Sequence, residues 1–436
     1  MDIESVLRQL TATSNIHIPY LLCSTGTDGE VNKSYFTGDF GNNIKLMVQA
    51  AFLDILIKKY RRYKIYIHNL GKYDGVFLLK LLNSIQGCSV KPLLHQGKII
   101  AINLKYNSCS IVIKDSLLLL PDKLKTLGIA FGLDNSLLKG IFPYFLNDLD
   151  YMGPVPAFKF FDGIEDKLKH KLHWYNIDIN KLTMAEYNQY VMQFEGRIWN
   201  FKTESINYCM QDCKVLFNIL TRFNGIIFDK FKLNINNFLT LSSLSLGIFR
   251  AHYLPTNTIF NLGPETEKDL RQWYTGGAVD MYIPSSQKGT RIFGYDINSM
   301  YPFIMRNLVM PTGIATWFKG DIRKYEPNAY GFFKCRVTVP TNLVHPIIQI
   351  RYQVGDGIRT IAPIGTFITG VYSSEKDNAI KYGYKFEILE GYLFTPKVIF
   401  KDFVDTLYNM RLEFGKNTPL GLIAKLLMNS LLAWAG

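Results

Sequence analysis

Between residues 63 and 85 the chain changes its hydrophobic period within a few positions. Residues 63–68 (YKIYIH) alternate like a strand, and residues 75–85 (GVFLLKLLNSI) have the spacing of an apolar helix. A strand that feeds a helix so directly requires a sheet with helices packed on it. The neighbouring segments agree. Residues 99–106 (IIAINLKY) and 109–116 (CSIVIKDS) read as a strand pair. Residues 204–222 have helical periodicity, with Ile206, Val215, Leu216 and Ile219 on one apolar face. The first half of the chain is therefore expected to be an α/β domain of roughly 220 residues. Beyond it come a helical stretch at 238–253, a loop with Gly276 and Gly277, a strand at 291–297, a β-rich section at 330–400 and an amphipathic helix at about 418–432.

Composition narrows what this architecture can serve. Of 436 residues, 48% are hydrophobic, 14% aromatic and 19% charged, which excludes a largely disordered chain. No apolar run reaches the ~18 residues that a membrane span needs, and the opening MDIESVLRQL has neither a signal core nor the character of a transit peptide. A soluble chain without a membrane partner is expected. The six cysteines are scattered; Cys209 and Cys213 alone are close, without a second pair, so plain thiols are expected. The seven histidines show no paired ligand spacing. Net charge is +13, and the isoelectric point is about 9.2. Such a balance points to a polyanionic partner. Basic clusters fall at Lys58, Lys59, Arg61, Arg62 and Lys64, and at Lys167, Lys169 and Lys171; a solvated basic surface is the plain alternative.

Three acidic strings are candidate metal ligands. In Asp2-Ile3-Glu4 both carboxylates point the same way if the segment is a strand. In the string from His68 to Gly75 (HNLGKYDG), Asp74 stands between a strand and a helix. In Tyr208-Cys209-Met210-Gln211-Asp212, the phenol and the carboxylate share one helix face, where the phenol can orient the attacking water. Each has an ordinary alternative: a solvated acidic pair, a helix N-cap, an exposed Asp beside a core Tyr. In this order, however, four carboxylates and a phenol suit a two-metal phosphodiesterase.

The arrangement resembles the three exonuclease motifs of the DnaQ-like 3′–5′ exonucleases attached to family-B DNA polymerases. The resemblance implies an RNase-H-like α/β fold, catalytic roles for Asp2, Glu4, Asp74, Tyr208 and Asp212, and DNA contacts from Asn69 and Tyr73. The run of Ser116, Leu117, Leu118, Leu119 and Leu120 resembles a Ser/Thr-Leu-x-x-hydrophobic motif of the protein-primed subgroup. In that subgroup Ser116 and Leu117 would touch the single-stranded primer end. Lys139-Gly140-Ile141-Phe142 resembles the subgroup's Lys-x-x-hydrophobic motif, in which Lys139 would assist cleavage.

A second group of strings follows. The string Tyr295-Asp296-Ile297-Asn298-Ser299-Met300-Tyr301-Pro302 is similar to motif A, Asp-x-x-Ser-Leu-Tyr-Pro, with Met300 for Leu. It implies Asp296 as a metal ligand and Ile297, Ser299 and Tyr301 at the nucleotide. Tyr274-Thr275-Gly276-Gly277 resembles the Tyr-x-Gly-Gly motif, whose paired glycines let the backbone approach template phosphates. Lys425-Leu426-Leu427-Met428-Asn429-Ser430-Leu431 resembles motif B, which puts Lys425 and Asn429 at the nucleotide. The long stretch between motifs A and B resembles the insertion of protein-primed polymerases that meets the terminal protein. Within it, residues 363–384 look like the linear-plasmid enzymes of fungal mitochondria.

The expected architecture is α/β and α+β. An RNase-H-like exonuclease domain spans 1–230, a partial palm with motif A 231–307, a terminal-protein-region-like insertion 308–402 and partial fingers with motif B 403–436. The implied cofactors are Mg²⁺ or Mn²⁺, two per active site. The implied partners are DNA template and primer, dNTPs and a terminal protein, and the implied location is the mitochondrion. The Tyr-Gly of motif B and the Asp-Thr-Asp of motif C find no counterpart, so a fragment, a truncated gene copy or one part of a larger polypeptide is expected. Little or no primer extension is expected from the chain alone. An exonuclease-only enzyme and a non-catalytic DNA-binding remnant are the alternatives.

Overall fold

The computed structural model describes every residue except 12–13, 27–31, 135–139, 163–181, 280, 356, 417 and 432–436. Lys139 and the basic cluster Lys167, Lys169 and Lys171 lie outside the described residues. The chain forms two compact units, Met1–Ile248 with Leu407–Gly436, and Phe249–Thr406.

The first unit begins with a meander. Strands β1 (Asp2–Thr11) and β2 (Ser14–Ser24) are antiparallel, and β3 (Lys33–Phe36) adds to the outer edge of β2. The register pairs Asp2 with Cys23, Ile3 with Leu22 and Glu4 with Leu21. Alternation then sorts the side chains. Ile3 and Leu22 join a core built with helix α1 (Ile44–Leu53), while Leu21 and Cys23 join a second core on the opposite face. Asp2 and Glu4 share that second face.

Strand β4 (Lys64–Ile67) leads into helix α2 (Asp74–Leu82), as the change of hydrophobic period requires. Strands β5 (Cys88–His95), β6 (Lys98–Tyr106) and β7 (Cys109–Asp115) complete a sheet ordered β4-β7-β6-β5, in which only the β4–β7 pair is parallel. The turn between β4 and α2 is fixed by two close approaches. A Cβ on Gly71 would meet the Ile99 carbonyl oxygen at 2.4 Å, and one on Gly75 would meet that of Leu70 at 2.7 Å. Asp115, at the end of β7, holds the turn by accepting from the backbone N–H of Asn69 at 3.0 Å and of Gly71 at 2.9 Å. It also accepts from the N–H of Leu117 at 2.9 Å.

After helix α3 (Leu124–Ala130), a two-residue pair of strands, β8 (Met152–Gly153) and β9 (Trp199–Asn200), brackets helices α4 (Lys159–Asp162) and α5 (Met184–Met192). Helix α6 (Phe201–Phe231) runs for 31 residues, capped by the Asn200 side chain on the Thr203 N–H at 2.9 Å. Its buried stripe includes Tyr208, Cys209, Asp212, Cys213, Leu216, Ile219 and Phe223, the repeat expected of one helix face against a sheet. Helix α7 (Leu241–His252) follows, and within the first unit Ser245 donates to the Leu427 carbonyl at 2.8 Å.

The second unit contains helices α8 (Pro264–Trp273) and α9 (Met300–Asn307), and a sheet ordered β10-β15-β11-β14. Its strands are β10 (Met310–Lys319), β11 (Gly331–Thr338), β14 (Thr366–Tyr372) and β15 (Lys385–Lys397). A hairpin of β12 (Ile350–Val354) and β13 (Gly357–Ile361) and helix α10 (Ser373–Ile380) complete it. Helix α11 (Lys401–Phe414) and helix α12 (Pro419–Ser430) end the described chain. One expectation fails here. Residues 291–297 form no strand, because a strand needs a hydrogen-bonded neighbour and no described strand pairs with them. No helix among the described residues is long and apolar enough to cross a membrane. All six cysteines are free thiols, as expected.

The Asp115 clamp is open to test. Asp115→Ala strands three backbone N–H groups in or near the core, and we expect it to destabilise the first unit by about 3 kcal/mol. Asp115→Asn, which keeps one carbonyl acceptor, is expected to cost roughly half as much. Urea denaturation followed by intrinsic fluorescence measures both.

Candidate active site

The carboxylates that the sequence scatters over two hundred positions meet in one cleft of the first unit. Asp2, Glu4, Asp74 and Asp212 line a cavity of about 940 Å³, together with Asn69, Tyr73 and Leu117. Each arrives by a different local rule. Asp2 and Glu4 project from alternate positions of β1 toward α6. Asp74 is the first residue of α2, which follows an N-cap at Tyr73. It is not itself the cap, so its carboxylate is left to face the cleft. Asp212 comes from the buried stripe of α6.

The electrostatics of the cleft are set by burial and by neighbouring carboxylates. Asp74 and Asp212 are both buried. Burial pushes the Asp74 carboxyl well above the usual carboxylate range, and the neighbouring charge of Asp2 pushes it further. One of its oxygens, Oδ1, is buried with no hydrogen-bond partner. Ligand atoms of Asp2, Glu4 and Cys209 lie within 4.8 Å of one another. Hard carboxylate oxygens in this number, one of them orphaned and destabilised as an anion, fit divalent cations. Cys209 does not fit as a ligand. Its thiol is pushed far up by burial and by hydrogen bonds to Cys213 and Cys23. It donates to the Asp2 carbonyl at 3.7 Å and lies 4.0 Å from Asp2 Oδ2. It therefore braces Asp2 as a neutral donor.

Tyr208 stands one layer back. It is buried, and burial pushes its hydroxyl well above the usual phenol range, with Tyr144, Asp212 and Glu4 adding to the effect. Its hydroxyl shares a hydrogen bond with that of Tyr144, and Tyr144 lines the cleft. Phe142 packs on the Tyr208 ring at 5.2 Å, so the hydrophobic member of the Lys139–Phe142 string supports this phenol pair. Ser116 is buried and contacts His68 Nδ1 at 3.0 Å, while Leu117 is half-buried at the cleft. Tyr73 hydrogen-bonds to Ser5 and to His17 Nδ1, the latter at 3.2 Å; burial, then the nearby carboxylates, push its hydroxyl up to about 12. Lys72, Lys123 and Lys125 add positive charge to the lining.

The remaining motif residues lie elsewhere. Asp296, Ile297 and Tyr301 are exposed in the second unit, and Ser299 takes a left-handed conformation, φ 53°, at the start of α9. Tyr274, Gly276 and Gly277 are exposed in the coil after α8 of the same unit. Lys425 and Asn429 are exposed on one face of α12, in the first unit. Sequence reasoning missed Asp115, Tyr144 and Cys209. Only Cys209 carried a signal, its place three residues before Asp212 on the same helix face.

Over residues 55–432 the chain matches the family described as DNA polymerase type B, organellar and viral, and it belongs to that family. It is 37% identical over 412 residues to a probable DNA polymerase of Ascobolus immersus, with 92% of this chain and 32% of that protein covered. It is 34% identical over 422 residues to one of Neurospora intermedia, with coverages of 93% and 41%. The chain thus spans about a third to two-fifths of the length of these relatives. Among solved structures it is similar to phi29 DNA polymerase complexed with primer-template DNA and incoming nucleotide substrates. The TM-score is 0.63 at 19% identity, covering 99% of this chain and 67% of that one. At that identity the likeness is one of fold.

Asp74 gives a prediction whose sign is fixed. Its folded pKa lies above the unfolded value, so the folded chain holds the proton longer. The stability this brings is present below the unfolded pKa, about 3.9, and is lost as pH rises through the folded value. In metal-free protein at pH 8, Asp74→Asn is expected to raise Tm by at least about 2 °C. The gain should vanish near pH 4, where the native carboxyl is protonated as well, and scanning fluorimetry at the two pH values reads both outcomes.

Proposed function

We propose that the chain works as part of a DNA-directed DNA polymerase and that the cleft of its first unit is a 3′–5′ proofreading exonuclease. The observation that carries this reading is the convergence of Asp2, Glu4, Asp74 and Asp212 on one cavity lined by three lysines. These carboxylates would hold two Mg²⁺ or Mn²⁺ ions, which supply water activation and stabilise the leaving oxyanion. The chain's own residues do the rest. Tyr144, held by Tyr208, orients the attacking water. Tyr73, Asn69 and Leu117 receive the last nucleotides of a single strand, and Ser116 positions His68 beside them. Lys72, Lys123 and Lys125 draw the phosphate backbone into the cleft. Lys139 is assigned to assist cleavage on motif resemblance alone.

The polymerase reading rests on the family and on the motif strings. It assigns Asp296 to metal binding, Ile297, Ser299, Tyr301, Lys425 and Asn429 to the nucleotide, and Tyr274, Gly276 and Gly277 to template phosphates. Its substrates are dNTPs on a primed DNA template, with a terminal protein as the priming partner and the mitochondrion as the site of action.

Two outcomes follow. Incubated with Mn²⁺ and a labelled single strand, the chain is expected to shorten DNA from the 3′ end. Asp74→Ala or Asp212→Ala should each cut the rate by at least ~100-fold, and Tyr144→Phe by about tenfold. Wild-type rates in either aspartate variant would remove the assignment. DNA binding should show little sequence preference. With about five phosphates neutralised, log K should fall against log salt with a slope near −4.5 on duplex and −3.5 on single strands. Anisotropy titrations between low and moderate salt measure it, and a flat response would exclude a nucleic-acid role.

A further inference from the structure

The four-stranded sheet of the second unit has two faces of different kinds. One carries the apolar core of Phe333, Cys335, Val337, Val371 and Ile388. Alternation sends Lys334 and Arg336 of β11 to the other face, where they pair with Glu390 at 2.7 Å and Glu387 at 3.3 Å. Helix α8 lies on this second face. Thr266, Asp269, Leu270 and Trp273 are half-buried at helical spacing, and every other position of the helix is exposed. Asp269 accepts from the Tyr392 hydroxyl of β15 at 2.7 Å, and the Trp273 ring lies tilted against that of Tyr392 at 6.1 Å.

The end of the helix is fixed at Gly370. This glycine stands on β14 opposite Lys334, so it belongs to the face that carries α8. A Cβ built there would collide with Cγ and Cδ2 of the Trp273 indole. The bare backbone of β14 is therefore a socket for the indole, and any larger residue would expel it. The chain leaves α8 directly from this socket. Tyr274 still donates its backbone N–H to the Leu270 carbonyl at 3.0 Å, and Thr275, Gly276 and Gly277 follow as coil. These two glycines differ from Gly370. No described atom would come within 4 Å of a Cβ on either, and neither takes a left-handed backbone. Nothing in the described fold around them calls for glycine, whereas close approach of a backbone to a phosphate does.

We propose that Trp273 and Gly370 are positioning residues for template binding. The indole in its socket sets where the Tyr274–Gly277 loop leaves the sheet, and so presents the amides of Gly276 and Gly277 to DNA phosphates. Tyr274 and Thr275 alone separate Trp273 from Gly276, so a swing of the helix end is passed on to those amides. A loop held at its start also has less freedom to lose on binding. The inference rests on the reading of this loop as a template contact, and it adds that the insertion sheet, through β14, controls the grip.

The test reads amide exchange of the full chain by mass spectrometry, with and without a primed DNA template. In the wild-type chain, DNA is expected to slow exchange over residues 274–279 at least about fivefold. Gly370→Ala, which expels the indole, and Trp273→Ala, which empties the socket, should each bring this protection below about twofold. Trp273→Phe keeps a ring on Gly370 and should retain it. The double variant Trp273→Ala/Gly370→Ala should be no worse than Trp273→Ala, because no indole remains to be expelled. Exchange over residues 385–397 without DNA reports whether the sheet is intact; where Gly370→Ala disturbs it, Trp273→Ala carries the test. Protection in the wild-type chain that persists in Trp273→Ala overturns the proposal and leaves the template reading standing. No protection in the wild-type chain removes the template reading, and the proposal with it.

Discussion

The gathering of four acidic side chains into one cleft is the constraint on which the first unit is built. Four carboxyl side chains are brought to one cavity, Asp74 and Asp212 buried and Asp2 and Glu4 half-buried, and burial together with the charge of Asp2 pushes the Asp74 carboxyl up. Only rigid elements can impose this. Two of the four come from a single strand, where the pleat repeats every second residue. One comes from the first turn of a helix, where the backbone N–H groups and the helix dipole offset part of the charge. The last comes from a 31-residue helix whose other buried positions are nearly all apolar. None of the four sits on a loop.

The opposing stabilisation comes from the layer behind. Trp199, Phe201, Phe142 and Tyr208 form a cluster of tilted and edge-to-face rings with centroids 5.2–6.3 Å apart. Aromatic pairs of this geometry contribute about 0.5–1.5 kcal/mol each beyond the area they bury. The cluster lies directly under the face that carries Asp2, Glu4 and Asp212, so the packing that stabilises α6 against the sheet also holds these carboxylates in register. Asp115 works by different means. Its oxygens are occupied by three backbone N–H groups, and it stabilises the turn that delivers Asp74 without lining the cleft.

What the sequence made legible was local. The change of period at 63–85, the strand pair at 99–116 and the apolar stripe of α6 are visible because each is set by neighbours within one or two turns. The order of Asp2, Glu4, Asp74 and Asp212 was legible for the same reason: each string has a period that predicts its face. What stayed hidden depends on contacts between distant positions. Gly71 reads as a flexible turn residue, yet its role is to let the Ile99 carbonyl approach to a distance no Cβ would allow. Asp115 reads as the polar end of a strand. Tyr144 reads as one tyrosine among twenty-six, until its hydroxyl is found against that of Tyr208.

The string that resembles motif A shows the converse. Its match is more specific than that of any of the acidic strings, and its alternation favours a strand, but residues 291–297 remain without one. The difference is the supply of partners. Asp2 and Glu4 are held because β2 satisfies the backbone of β1 and two cores take its side chains. Around Asp296, Tyr295 is 93% exposed and Ile297 69%, and no described strand takes up the N–H and C=O groups of the segment. Alternation specifies which way side chains point once a strand exists. It contributes nothing to the hydrogen bonds that make the strand, which must come from a second segment. A string can therefore match a motif residue by residue while the geometry that the motif needs depends on a hydrogen-bonded neighbour that the string does not specify.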